Sequence, residues 1–303
     1  MRPGRSRELS GRATPAPLWV RVRGAVSRRV ARARKILWQR RHLDPSSPRR
    51  AVFLVGCQRS GTNMFHAVVG AAPEVIVYNE DARRAFRDFR LRDHATIERL
   101  VRASPAPVVL LKPLCDSHLI DRILDAHPES RALWMFRRYP DVVNSMIHMW
   151  GAHQADVIRA LVARRWDILG WRGERLSDSM LRQIDAVWRE DGTDHEAGVL
   201  MWVVRNHFFF ELGLEADARV RLVRYEDLVT DPVAAFPPVF RFLGCAFDPD
   251  WARGVVSDSV RKEALPAISA EIAELAEGMQ ARLEAAFEAQ REVEGQRGAP
   301  PVG

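Results

Sequence analysis

At 303 residues, 47% of them hydrophobic, the chain is long enough to bury one substantial core with appended segments. It contains no apolar run of about 18 residues, so no membrane-spanning helix is expected, and its N-terminus lacks the compact apolar stretch of a secretory signal. The net charge of +7 is uneven: residues 1–50 hold fourteen Arg and Lys35 against Glu8 and Asp44, a net of +13, which leaves −6 for the rest. Three scattered cysteines, Cys57, Cys115 and Cys245, exclude a disulfide framework or a Cys-rich zinc site and fit a reducing cytosol.

In chain order, residues 1–17 are rich in Arg, Pro, Gly and Ser and read as disordered. Trp19, Val22, Val26, Val30, Ala33 and Leu37 recur at helical spacing and predict a basic amphipathic helix over 18–42. Such a helix packs on the body with its arginines in water, or touches an anionic membrane peripherally; nucleic acid is not an expected partner. Residues 1–48 form a basic N-terminal arm, ending in the linker Asp44-Pro45-Ser46-Ser47-Pro48. Apolar runs at 51–56, 107–112, 132–137 and 219–224 predict buried strands, and helical patterns are expected at 60–71, 117–127 and 141–151. This alternation predicts an α/β fold with a parallel sheet and helices on both faces, over residues 49–265. Residues 152–212 read as a strand-free, Trp-rich helical subregion on the substrate side. A helix follows Pro266 to about residue 294, with a frayed tail from Gly295, so that 266–303 form a C-terminal helix and tail.

The first chemical signal is the junction of the first strand and helix, Gly56-Cys57-Gln58-Arg59-Ser60-Gly61-Thr62-Asn63. A glycine-framed loop between strand and helix turns backbone N–H groups and a helix N-terminus toward an anion. The Gly-x-x-x-x-Gly spacing is that of the nucleotide P-loop, which points to a P-loop NTPase-like sheet. Thr62 stands where that loop has its lysine, and Asn63 where it has its metal-binding hydroxyl. The loop therefore suits a phosphate-like group that is not held through a metal.

A second signal is Phe136-Arg137-Arg138-Tyr139-Pro140-Asp141, where a buried strand ends in two arginines and a helix begins, with Ser145 more than a turn inside it. Arginine at a strand end with a hydroxyl on the next helix can clamp a second phosphate. Together the two segments resemble the sulfotransferases that use 3′-phosphoadenosine 5′-phosphosulfate (PAPS). In that family a Gly-x-x-Arg-Ser-Gly-Thr loop holds the 5′-phosphosulfate, and an Arg with a Ser eight residues later holds the 3′-phosphate. Arg137 and Ser145 have that spacing, while the family's proline spacing fits Arg138, so both arginines stay candidates. Leu222-Val223-Arg224-Tyr225-Glu226-Asp227-Leu228 resembles a third family segment, whose Tyr lies near the nucleotide. The resemblance spans roughly residues 50–265 and implies PAPS as donor, with Arg59, Ser60, Gly61, Thr62, Asn63, Arg137, Ser145 and Tyr225 binding it.

Sulfuryl transfer spreads charge over peripheral oxygens, as phosphoryl transfer does, and needs donors around those oxygens, a cation on the leaving oxygen and a base for the acceptor hydroxyl. Arg59 and the loop N–H groups fit the first need. Lysine occurs only at 35, 112 and 262 against 43 arginines, and Lys112 ends a strand, where α/β sheets bind ligands. The family carries a lysine at this strand end, which implies Lys112 for the leaving oxygen. No metal ligand set is expected.

For the base, small-molecule sulfotransferases have a His two residues after the Lys, where this chain has Leu114. Tyrosylprotein-type enzymes use a Glu 21 residues after the loop Arg, a spacing that implies Glu80. His118 and Asp81 are the alternatives. Past the last strand, Ser257, Arg261 and Lys262 read as a solvated basic loop at a place where the family covers the 3′-phosphate. Trp202, Arg205 and Asn206 share a helix face and read as core, and Cys57 as a small buried residue. The expected activity is sulfuryl transfer to a hydroxyl of a small molecule, carbohydrate or lipid. A P-loop kinase and a non-catalytic protein that binds anions or membranes through 18–42 are the rival readings.

Overall fold

The computed structural model describes residues 18–298, so the expected disordered segment 1–17 and the end of the tail, 299–303, lie outside the described residues. The chain separates into two compact units, Met1–Pro45 and Ser46–Gly303. In the first, one helix runs Leu18–His42, the span expected from its spacing. Among the described residues no helix is long and apolar enough to cross a membrane.

The second unit is built on seven strands: β1 (Arg50–Gly56), β2 (Val75–Tyr78), β3 (Phe86–Arg87), β4 (Arg90–Leu91), β5 (Val108–Leu111), β6 (Arg131–Phe136) and β7 (Val220–Arg224). Five of them form one parallel sheet in the order β2-β5-β1-β6-β7; β3 and β4 form a separate antiparallel hairpin. The four expected strands are present with ends shifted by about one residue. The fifth, β2, is not among the expected strands: Val75-Ile76-Val77-Tyr78 is a short apolar run set between the turn residues Pro73-Glu74 and the polar Asn79-Glu80-Asp81.

Strand β1 shows why the sheet is central. Val52, Phe53, Leu54 and Val55 are all fully buried, so both faces are covered, as continuous apolar strands require. Val52 and Leu54 share a core with Phe65 and Val69 of the helix Thr62–Val69 and with Phe236 and Phe240 of the helix Pro232–Leu243. On β6, Trp134 meets Phe209 of the helix Asp194–Glu211, and Phe136 meets Phe287 of the C-terminal helix Ala270–Gly298. Each such aromatic or aliphatic side chain contributes about 1.5–3 kcal/mol when fully buried.

Residues 152–212 contain helices and no strand, including His153–Val162, Asp178–Val187 and Asp194–Glu211. The last begins with a capping box, in which Thr193 and Glu196 satisfy each other's backbone N–H groups, and it is buried over most of its length. It carries Trp202, Arg205 and Asn206 into the interior.

Candidate active site

The parallel sheet places the carboxyl ends of β1, β2, β5, β6 and β7 along one edge. Nearly every residue expected at the site follows one of those ends. Gly56 closes β1 at φ 121°, and a Cβ there would lie 2.3 Å from the Met135 carbonyl oxygen, so only glycine passes. The chain then turns through Arg59, itself at φ 70°, a conformation that stores local strain in a non-glycine residue. The helix expected over 60–71 starts at Thr62, because Gly61 is left-handed at φ 87°. A Cβ on Gly61 would lie 2.1 Å from the Tyr225 ring, so the third segment packs directly against the loop. No side chain caps this helix, so its first-turn N–H groups and positive dipole end have no side-chain acceptor.

The guanidiniums converge here. Arg59 Nε donates to Ser145 Oγ at 2.9 Å, joining the two expected phosphate clamps. Arg137 is buried; its Nη1 donates to the Arg59 carbonyl at 3.4 Å, and its Nη2 donates to the Ser259 carbonyl. The Arg137 guanidinium lies 4.5 Å from the Tyr225 ring centroid, and its own carbonyl accepts from Trp202 Nε1 at 3.1 Å. Arg138 is absent from the lining of the cavity under the loop, which Arg137 joins; its backbone N–H donates to Glu226 Oε1 at 3.0 Å. Of the two arginines, Arg137 is the one at the loop. Burial and the neighbouring Arg137 charge both hold the Arg59 pKa below its ordinary value. The loop thus holds two cations close together, and among the described residues neither has an ion-pair partner.

Lys112, just past β5, is buried and donates from Nζ to Asn63 Oδ1 at 2.7 Å; Glu80 Oε2 lies 3.3 Å away. A lysine thus reaches the first helical turn from a neighbouring strand. Glu80 follows β2, the strand the sequence concealed, and burial pushes its pKa up although the Lys112 charge pulls it down. Arg59, Asn63, Glu80, Lys112, Arg137 and Ser145 line one cavity of about 200 Å³, with Gly61 and Thr62. Ser60 lies beneath, buried, with its Oγ unpartnered.

His118 stands outside this cavity. It is fully buried, and its Nε2 lies 2.8 Å from Glu174 Oε2. Burial holds its pKa down to about 4, outweighing the hydrogen bond to Glu174. Asp81 is not in the lining either. Cys57 is buried as expected, and desolvation pushes its thiol up to about 12, which suits packing and not nucleophilic attack.

Two features escaped the sequence. Arg261 and Lys262 do expose their side chains, but their loop is anchored at the site: Arg261 N donates to Asp141 Oδ1 at 3.0 Å, and Ser259 Oγ lies 2.6 Å from Tyr225 Oη. A serine in a Ser/Asp-rich loop carries no signal of that contact. Arg205 is not plain core: it lines a second cavity of about 550 Å³ that shares Gln58, Glu80 and Trp150 with the first. Its only sequence mark is a charge directly after the apolar stretch 199–204 of its helix. A larger cavity, of about 610 Å³, holds none of the expected residues, and its Arg224 is paired with Asp227 and Glu288.

Among curated proteins none matches this chain. Among solved structures it is similar to a sulfotransferase domain from the curacin biosynthetic pathway, at 13% identity and TM-score 0.47, over 78% of this chain and 99% of that one. A sulfotransferase domain from the Synechococcus PCC 7002 olefin synthase is similar at 15% identity and TM-score 0.45, over 77% and 95%. A sulfotransferase from Alicyclobacillus acidocaldarius gives 17% identity and TM-score 0.41, over 80% and 95%. The family profile described as the sulfotransferase domain matches residues 49–267, most of the chain, and the chain belongs to the sulfotransferase family.

Proposed function

We propose that this sulfotransferase takes its sulfuryl group from PAPS and passes it to an acceptor hydroxyl by in-line displacement, leaving 3′,5′-ADP. The observation that carries the proposal is the convergence of Arg59 and Arg137 at an uncapped helix N-terminus, beside a buried Lys112–Glu80 pair. Among the described residues neither arginine has a carboxylate partner, and anions at helix N-termini need such donors. PAPS supplies an activated sulfuryl group on a phosphate leaving group, with a 3′-phosphate as a second handle.

The first-turn N–H groups, with Arg59, Ser60, Gly61, Thr62 and Asn63, bind the phosphosulfate end. Arg137 and Ser145 hold the 3′-phosphate. Tyr225 fixes the Arg137 guanidinium from below and sets the width of the loop through its contact at Gly61. Lys112 places its ammonium at the leaving oxygen, where developing negative charge is stabilised without reorganisation. Glu80 accepts the proton of the attacking hydroxyl; its raised pKa makes it a stronger base than an exposed glutamate. Its ion pair with Lys112 lets the two groups exchange partners as the site fills.

Thermal unfolding of the full chain with 3′,5′-ADP against ATP–magnesium tests the donor. At a hundredfold excess over Kd, 3′,5′-ADP should stabilise the fold by about 2.7 kcal/mol. Stabilisation by ATP–magnesium alone, with magnesium-dependent phosphate transfer, would establish the kinase reading instead. Binding of neither nucleotide, with anion binding lost on removing residues 1–48, would establish the non-catalytic one.

A further inference from the structure

The second cavity has an unusual charge arrangement. Trp171 carries two guanidiniums on its ring, Arg172 at 4.5 Å and Arg205 at 4.8 Å from the centroid. Arg205 is 1% exposed; Nη2 donates to the Leu114 carbonyl at 3.0 Å, while Nε and Nη1 have no partner. Arg172 is half-buried, with Nη2 3.2 Å from His153 Nε2. Among the described residues neither has an ion-pair partner.

The nearby acids are committed elsewhere. Glu80 pairs with Lys112, and Asp116 and Glu174 both bind Arg90, the first residue after the turn of the β3–β4 hairpin. Asp88, at the hairpin tip, is exposed beside Arg87. Burial and the Arg172 charge lower the His153 pKa, and burial keeps the Cys115 thiol protonated, with its pKa pushed up to about 11. A buried cation left without a counter-charge is costly to keep, and each of these two guanidiniums disfavours the other. Phe89, Met146, Trp171 and Met201 give the rest of the lining an apolar character. The volume of about 550 Å³ is that of a small-molecule site.

We propose that the acceptor carries an oxyanion, a carboxylate or a phosphate ester, as well as the reacting hydroxyl, and that Arg172 binds this anion with Arg205 as fixed charge behind it. This rests on the sulfuryl-transfer reading above. The hydroxyl sits at Glu80, on the wall shared by the two cavities, and the apolar body and anion fill the larger one, of which Arg172 is a part and the smaller is not. Arg172 suits this task because its planar fork can meet two oxygens while it stacks on Trp171.

The test is calorimetric titration of the full chain saturated with 3′,5′-ADP, using 4-hydroxybenzoate against its methyl ester, and 4-hydroxyphenyl phosphate against 4-methoxyphenol. At least one anion should bind about tenfold or more tightly than its neutral counterpart, the worth of one charge-assisted hydrogen bond. Arg172→Gln should abolish that preference, and Arg172→Lys should keep part of it, with 3′,5′-ADP affinity unchanged in both. Equal affinity within both pairs, failure of both anions to bind, or a preference that survives Arg172→Gln would overturn the proposal. Repeating the titration without 3′,5′-ADP separates the two readings: absence of nucleotide binding sinks the donor assignment, while anion preference still reports on Arg172.

Discussion

The small cavity under the loop and the larger one beyond Trp150 draw their residues from different parts of the chain. The first takes Arg59, Lys112 and Arg137 from just past the ends of β1, β5 and β6, and Glu80 from past β2. Parallel strand ends lie side by side, so backbone geometry alone gathers these groups. The second takes Phe89 from a hairpin, Met146 and Trp150 from one helix, Trp171 and Arg172 from a short 3₁₀ turn, and Arg205 from a core helix. Only tertiary packing brings those together. A donor common to many enzymes can be bound by features of the fold itself; an acceptor peculiar to one enzyme needs side chains that can change without disturbing the sheet.

The proposed chemistry lies where the cavities meet, and removing it there should cost most. Glu80→Gln should lower turnover by about 10²–10⁴-fold in single-turnover assays, with 3′,5′-ADP affinity retained. A base at Glu80, as proposed, would work only when deprotonated, and burial raises the Glu80 pKa, so the acid limb of the wild-type pH–rate profile should lie above the ordinary value of about 4.3. Activity then falls as pH drops through that raised value, and the limb should vanish in the variant. An unchanged limb in Glu80→Gln would move the base elsewhere. Lys112→Ala should cost about 10²–10³-fold in turnover with acceptor KM little altered, since the proposed reaction places its charge on the leaving oxygen. A loss confined to KM would make Lys112 a binding group only.

A smaller effect should come from the frame of the donor cavity. Gly61→Ala forces a Cβ into the Tyr225 ring at a backbone φ of 87°. It should destabilise the fold by more than about 1 kcal/mol in urea titrations and weaken the stabilisation by 3′,5′-ADP. Turnover at saturating donor should suffer less than in Lys112→Ala, because the substitution shifts the loop's frame but removes no charged group from the site.

The contrast between the cavities is also the contrast in what the residues disclosed. Gly56, Gly61 and the eight-residue step from Arg137 to Ser145 are legible because strand-to-helix turns fix both spacing and residue type. The choice between Arg137 and Arg138 needed the structure: adjacent residues on an extended chain point opposite ways, and the sequence does not say which way the sheet faces. Glu80 was reachable only by counting from Arg59, because the strand that delivers it was not among those expected. Arg205 was hidden for the opposite reason. On a helix buried along most of its length, one polar residue looks like a tolerated exception until the cavity beside it is seen.

His118 gives the mildest test of the same division, because it lies near the second cavity in sequence and in neither cavity in space. Its imidazole is neutral in the fold, with Nε2 placed to donate to Glu174 and a pKa held down to about 4 by burial. In the unfolded chain the same group titrates near 6.5. Between those values the unfolded state takes up a proton that the folded state refuses, so stability should fall as pH drops from about 6.5 toward 4 and level off below. His118→Gln keeps a donor for Glu174 but cannot take up that proton. Its unfolding free energy in urea should therefore depend less on pH across this window, and its turnover at neutral pH should match the unsubstituted protein. If turnover instead collapses while 3′,5′-ADP binding survives, His118 rejoins the mechanism and Glu80 loses its sole claim to the proton.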